Sequence, residues 1–210
     1  MRYTSVVEIL RHLRSRYGEK PSISAVCRGI SLSYQPTYYH IKELEKLGVV
    51  ATQRVGKQSP CEFVNSPGAA LWLGLICEAD ARAARGTAGA LVGGLRPHLQ
   101  HDYNAMDCIV YAAAQDQIIA VSRQPAADAG SSLRRRCRTI APDVEASLLD
   151  VDGCMEYLAT AAGLQCVREA VVIAGHQQFW HYALQSGEGL GLVRALGPPP
   201  GKRARQKAEG

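Results

Sequence analysis

The sequence predicts an α+β protein in which a basic, mostly helical unit precedes a linker helix and a mixed unit of strands and helices. Three observations carry that expectation. Residues 5–47 repeat apolar side chains at helical spacing between serine starts and glycine stops. Two Ile/Val-rich runs, Asp107 to Ala113 and Gln117 to Ser122, change the period from helix to strand. The charge is also unevenly divided: residues 1–65 hold ten Lys/Arg against five Asp/Glu, residues 66–196 ten against thirteen, and residues 197–210 four against one. Basic ends around a mildly acidic middle point to a polyanionic partner for the first segment.

With 210 residues, 47% hydrophobic and 20% charged, the chain is long enough for one or two domains with real cores. No apolar run approaches the ~18 residues of a membrane span. Glu8 and the arginines Arg11, Arg14 and Arg16 interrupt what would be the apolar stretch of a secretory leader. The expected partners therefore exclude a membrane, and the expected compartment is the cytoplasm. The seven cysteines are odd in number, scattered and never in a CxxC pair, which argues against a disulfide framework and a thiolate zinc site. They read as small buried hydrophobes.

Element by element, Ser5-Val6-Val7-Glu8 matches a capping box, and Val6, Ile9, Leu10 and Leu13 continue a helix from about Ser5 to Tyr17, ended by Gly18. A short helix fits Ser22 to Gly29 with Ile23, Val26 and Cys27 inward. A third fits Tyr34 to Leu47, stopped by Gly48 at the position of a left-handed cap. Strands Val49 to Val55 and Cys61 to Val64 then flank the basic loop Gly56-Lys57-Gln58-Ser59-Pro60. In the third helix Thr37, Ile41 and Leu44 share one face, while Tyr34, Gln35, Tyr38, Tyr39 and Lys42 share the other. A solvated face would carry Glu and Lys, so this one is suited to hydrogen bonding and stacking.

The stretch Leu32-Ser33-Tyr34-Gln35-Pro36-Thr37-Tyr38-Tyr39-His40-Ile41-Lys42-Glu43-Leu44-Glu45-Lys46-Leu47-Gly48-Val49-Val50 resembles the recognition helix and following strand of prokaryotic winged helix-turn-helix regulators. The resemblance spans about residues 4–65 and implies a DNA-binding domain over 1–65 with double-stranded DNA as partner. It makes Gln35, Thr37 and Tyr38 candidates for base contacts within the face that also holds Tyr34 and Tyr39. Lys42, Arg54 and Lys57 become candidate phosphate contacts.

Beyond the turn at Asn65-Ser66-Pro67-Gly68, Ala69 to Ala84 reads as a helix with Leu71, Trp72, Leu75, Ile76 and Ala79 on one side, ended by Gly86. Residues 66–86 are thus a linker helix. Packing within the chain and a homodimer through 69–84 both account for its stripe. A glycine-diluted helix runs through Leu91, Val92 and Leu95. After the two strands, the pattern predicts a helix Ala126 to Ile140, a strand Asp143 to Leu149 and helices Asp152 to Ala162 and Leu164 to Ala170. A strand Val171 to Ala174, a helix Gln177 to Gln185 and a turn Gly187 to Gly191 follow.

This order, with Asp143 to Asp150 and Val167 to Gly175 at its end, resembles a small nucleotidyltransferase-like domain, which would occupy 87–196. Active members carry a Gly-Ser after the first strand and an Asp-x-Asp on the second, hard oxygen ligands for two magnesium ions. Here the stretch is Ala112-Ala113-Ala114-Gln115-Asp116-Gln117-Ile118, so one aspartate remains and the resemblance implies a degenerate domain kept for regulation or dimerisation. No catalytic residue, cofactor or metal site is expected. The histidine pairs His98/His101 and His176/His181 lack a metal-binding pattern. Arg134, Arg135, Arg136 and Arg138 follow Ser131-Ser132, read as a helix cap, and residues 197–210 read as a disordered basic tail. The expected function is a transcriptional regulator. Alternatives are a divergent nucleotidyltransferase of a toxin-antitoxin type system and a winged-helix docking protein.

Overall fold

Apolar spacing sets the first three helices as the sequence predicts. The computed structural model describes residues 3–98, 106–123 and 127–196. Helix α1 (Tyr3–Ser15) buries Val6, Ile9, Leu10 and Leu13. It is already running at Tyr3, so Ser5 lies inside the helix and the expected capping box is not its start. Helix α2 (Ile23–Gly29) is capped by Ser22, whose hydroxyl accepts from the Ala25 amide at 3.3 Å. Helix α3 (Tyr34–Lys46) leads to strands β1 (Val50–Thr52) and β2 (Cys61–Asn65), which pair antiparallel with Val50 opposite Phe63. The first strand is shorter than expected. Gln53 donates to the Pro60 carbonyl, but Pro60 has no N–H to return the bond, and the ladder stops.

Helix α4 (Pro67–Ala83) starts at Ser66, whose hydroxyl accepts from the Ala69 amide and donates to the Gly48 carbonyl at 2.7 Å. Its buried face is Ala69, Ala70, Leu73, Ile76 and Cys77, while Leu71 and Leu75 are exposed. The stripe expected from Leu71, Trp72 and Leu75 is therefore rotated. The late helix His176–Gly189 lies along α4, and the small residues Ala70, Gly74 and Cys77 allow the close approach that turns the larger leucines outward.

The remaining elements are α5 (Gly86–Leu95), β3 (Met106–Ala112), β4 (Gln117–Ser122), α6 (Ala127–Ile140), β5 (Glu145–Leu149) and α7 (Val151–Leu158). They are followed by α8 (Ala161–Glu169), β6 (Val171–Ala174), α9 (His176–Gly189) and β7 (Arg194–Ala195). Ser131 and Ser132 lie within α6 rather than capping it. Gly187 and Gly189, expected in a turn, belong to α9. Gly187 is needed there because a Cβ would sit 2.1 Å from the Tyr17 hydroxyl. Gly175 has φ +66° and a Cβ would meet the Asp107 carbonyl at 1.9 Å, so only glycine can join β6 to α9.

The described residues form two small sheets. One has the order β5-β4-β3-β6, with β3 antiparallel to both neighbours and β4 parallel to β5. Its strand alternation divides the interior. Cys108, Val110, Ile119, Val121 and Val172 face a core shared with α7, α8 and α9, whereas Ile109, Tyr111, Ile118, Ala120 and Ile173 face α5 and α6. The other sheet has the order β1-β2-β7, and the two-residue β7 runs parallel to β2. Nothing in the short segment Arg194-Ala195 signals this strand; its partner supplies it.

The first of these cores extends without interruption into the N-terminal unit. The Tyr17 ring lies 6.3 Å from both Phe63 and Trp180, and its hydroxyl donates to the Ala183 carbonyl at 2.5 Å. Arg14 is also buried. Its guanidinium donates to the carbonyls of Val167 (3.3 Å) and Ala170 and to Asp80 (3.4 Å), and it lies 5.8 Å from the centre of the Trp180 ring. All seven cysteines are buried and unpaired, in accord with the composition. Among the described residues no helix is long and apolar enough to cross a membrane. The tail expected at 197–210 lies outside the described residues.

Replacing Arg14 with Met keeps the aliphatic contact but leaves the carbonyls of Val167 and Ala170 without this donor, while Asp80 keeps Arg11, and should cost about 2–3 kcal/mol of stability. Denaturant unfolding of the two proteins measures this. An unchanged midpoint would mean that the guanidinium is dispensable.

Candidate nucleic-acid interface

The inward face of α3 is Thr37, His40, Ile41 and Leu44. What remains outside is aromatic and polar. Tyr34, Tyr38 and Tyr39 are 52%, 43% and 60% exposed, and Gln35 is exposed beside them. The i,i+4 pair Tyr34 and Tyr38 stacks, with ring centres 5.9 Å apart and planes 20° from parallel. One further turn along, the Lys42 ammonium lies 5.7 Å from the centre of the Tyr38 ring. Thr37 departs from the expected set of base contacts. It is fully buried, and its hydroxyl donates to the Ser33 carbonyl at 3.0 Å, so the face assignment with Ile41 and Leu44 decides its role. His40 is buried too, with the edge of its ring pair against Tyr39 and with Nδ1 lacking a hydrogen-bond partner.

Lys42 is not a free cation. It donates to Glu45 at 2.6 Å and to the Thr52 hydroxyl at 3.0 Å, and the hydrogen bond to Glu45 raises its pKa against the opposing effect of burial. Burial pushes the Glu45 carboxyl upward, but the hydrogen bonds from Lys42 and Thr52 outweigh it and hold the group below its usual value. Glu45 also accepts from the Thr52 amide at 3.0 Å and hydroxyl at 2.8 Å. This cluster fastens α3 to β1, so the tyrosine face and the hairpin move together. The Lys42–Glu45 spacing is visible in the sequence. Thr52 joins only through the hairpin's docking.

Two local geometries aim the elements. Between α2 and α3, the Ile30 amide bonds the Val26 carbonyl and the Leu32 amide bonds the Cys27 carbonyl, leaving Ser31 left-handed at φ +53°. At the hairpin tip Val55 and Gln58 exchange both backbone bonds, 2.9 and 3.0 Å, around Gly56-Lys57. Gly56 has φ +59° at the first central position, which a type II′ turn reserves for glycine. Arg54 and Lys57 are exposed at this tip, and Arg54 donates to the Gly56 carbonyl at 3.3 Å. Among the described residues neither has a carboxylate partner, and nor has Arg28, an exposed cation in the last turn of α2 outside the face that the sequence pattern marks.

Elsewhere a groove of about 790 Å³ lies between α4 and the start of α9, with Leu71 and Leu75 on its rim. Two of its polar groups, Glu78 and His176, are engaged within the chain. Glu78 accepts from Arg82 (2.8 Å), Arg96 (2.6 Å) and His176 Nδ1 (3.1 Å), which leaves His176 Nε2 to accept from Arg96 at 3.3 Å. Burial lowers the His176 pKa, Glu78 opposes that, and Arg96 reinforces it.

At the β3–β4 connection, Ala113–Gln115 form a single tight turn and Asp116 is left-handed at φ +46°. The Asp116 carboxylate accepts from the Tyr111 hydroxyl at 2.9 Å, and Ile118 is fully buried. No family model, curated protein or solved structure matches the chain.

Replacing Ser31 with Gly removes the left-handed penalty of a side chain at the α2–α3 turn and should stabilise the protein by about 1 kcal/mol. Thermal unfolding reads the gain. A loss would mean that the Ser31 side chain makes a contact worth more than the strain.

Proposed function

We propose that the chain is a cytoplasmic, sequence-specific DNA-binding regulator in which α1–α3 and the β1–β2 hairpin act as a winged helix-turn-helix. The observation that carries this reading is the exposed face of α3. Three tyrosines and a glutamine stand where an ordinary solvated helix carries Glu and Lys, and they adjoin a hairpin tip whose cations Arg54 and Lys57 have no carboxylate partner among the described residues. In this role Gln35, Tyr38 and Tyr39 meet base edges or stack against sugar and base, Tyr34 supports Tyr38, and Lys42, Arg54 and Lys57 meet phosphate. Thr37 acts only from inside, by setting the rotation of the helix.

The sheet of β3 to β6 with its helices serves, on this proposal, as a degenerate nucleotidyltransferase-like domain for regulation or dimerisation. Supporting it are the strand–helix order, the alanines at 112–114 and the occupation of the one remaining aspartate, Asp116, by Tyr111. A pair of metal-binding carboxylates facing one triphosphate is missing from this turn. The exposed Leu71 and Leu75 offer a surface for a second copy, as a two-fold operator would require.

Two measurements test the reading. Tyr38→Ala should lower the preference for a specific duplex over a random one, whereas Lys42→Ala should weaken binding to every sequence and reduce the salt slope by about one phosphate. Unchanged affinity in both variants would remove α3 from the interface. Incubation with labelled nucleoside triphosphates and magnesium or manganese should give no incorporation into protein or RNA. Incorporation abolished by Asp116→Asn, a substitution that tolerates the left-handed backbone, would establish an enzyme instead.

A further inference from the structure

We propose that the outer face of α6 is a second contact for duplex DNA, so that one chain bridges two DNA segments; this rests on the DNA-binding reading above. Helix α6 turns Leu133 and Cys137 into the core under the sheet. On its outer side Ser131, Arg134, Arg135, Arg138 and Thr139 follow one another at i, i+3, i+4, i+7 and i+8, a single stripe along an open groove of about 560 Å³. A second groove of about 490 Å³ opens between Arg134, Arg138 and residues 142–146.

Arg134 donates to the Ala146 carbonyl at 3.3 Å, which fixes its stem. Among the described residues Arg134, Arg135 and Arg138 have no carboxylate partner. Asp143 and Glu145 border the second groove without pairing with them. Like charges at i,i+3 and i,i+4 destabilise a helix when no acid intervenes, so the stripe is costly to the isolated chain and is relieved by an anion. The stripe spans about 12 Å of helix, the length of roughly three phosphates along one DNA strand.

Charge complementarity identifies the partner chemistry, and the layer order shows that it is a separate segment. The sheet separates α6 from α7, α8 and α9, and α1 and α3 lie beyond those helices. The stripe and the tyrosine face therefore belong to opposite sides of the sheet, separated by several layers of about 10 Å each. Duplex DNA is straight over such lengths, with a persistence length of about 50 nm, so one duplex on α3 does not reach α6 of the same chain.

The test uses the full chain, an immobilised random-sequence duplex and a second, fluorescent duplex of unrelated sequence. The intact protein should capture the second duplex. R135Q/R138Q should reduce capture about tenfold at moderate salt while binding of a single duplex through α3 stays within about twofold, because two phosphate contacts are lost from one surface only. R135K/R138K, with the charge kept, should retain capture, and both variants should keep the wild-type unfolding midpoint. A Y38A/K42A protein should still bind duplex through the stripe, and lose it when R135Q/R138Q is added. Equal capture by the wild type and R135Q/R138Q overturns the proposal. Binding of one duplex per chain with no capture overturns it while the α3 reading stands, and no duplex binding at all overturns both. Binding of polyglutamate or anionic vesicles by the stripe, without duplex, overturns it in favour of those partners.

Discussion

The guanidinium of Arg14 holds the two halves of this protein in one body. Sitting on the first helix, it donates to carbonyls in the last turn of α8 and at the Ala170 cap that follows it, to a carboxylate on α4, and lies against Trp180 of α9. Each of those groups belongs to a segment more than 60 positions away in the chain, as the contact separations show. A planar, permanently charged fork can meet all of them at once, which a lysine could not. The Tyr17 hydroxyl on Ala183 and the two aromatic neighbours of its ring extend the same junction. With the N-terminal helices held there, α3 is free to commit its opposite face to something other than the core.

That commitment is made by rotation. Thr37, Ile41 and Leu44 occupy the inner side of α3, and the helix cannot turn without exposing them. The stacked pair Tyr34–Tyr38 and the Lys42–Glu45–Thr52 cluster then line up along the outer side and tie it to the hairpin. A surface held in this way is fixed before any ligand arrives, which would limit the conformational entropy lost if one binds. The same logic applies to the far side of the molecule, where Leu133 and Cys137 anchor α6 to the sheet and leave an arginine stripe facing outward.

What the sequence by itself determined was every element whose signal is local. Helical spacing at Val6, Ile9, Leu10 and Leu13, the glycine at 48, and the β-branched runs at 107–113 and 117–122 each follow from interactions within a few residues, and the structure bears these elements out. The exposed tyrosines of α3 were legible too, because amphipathicity is a property of one helix. Tertiary structure alone decided which way α4 faces, since Leu71 and Leu75 lost the core to smaller residues that let α9 approach closely. It also decided that Gly187 continues a helix against Tyr17 and that Arg194-Ala195 is a strand at all. These outcomes depend on partners distant in sequence, whose shape and free hydrogen-bonding groups exist only once the chain has packed.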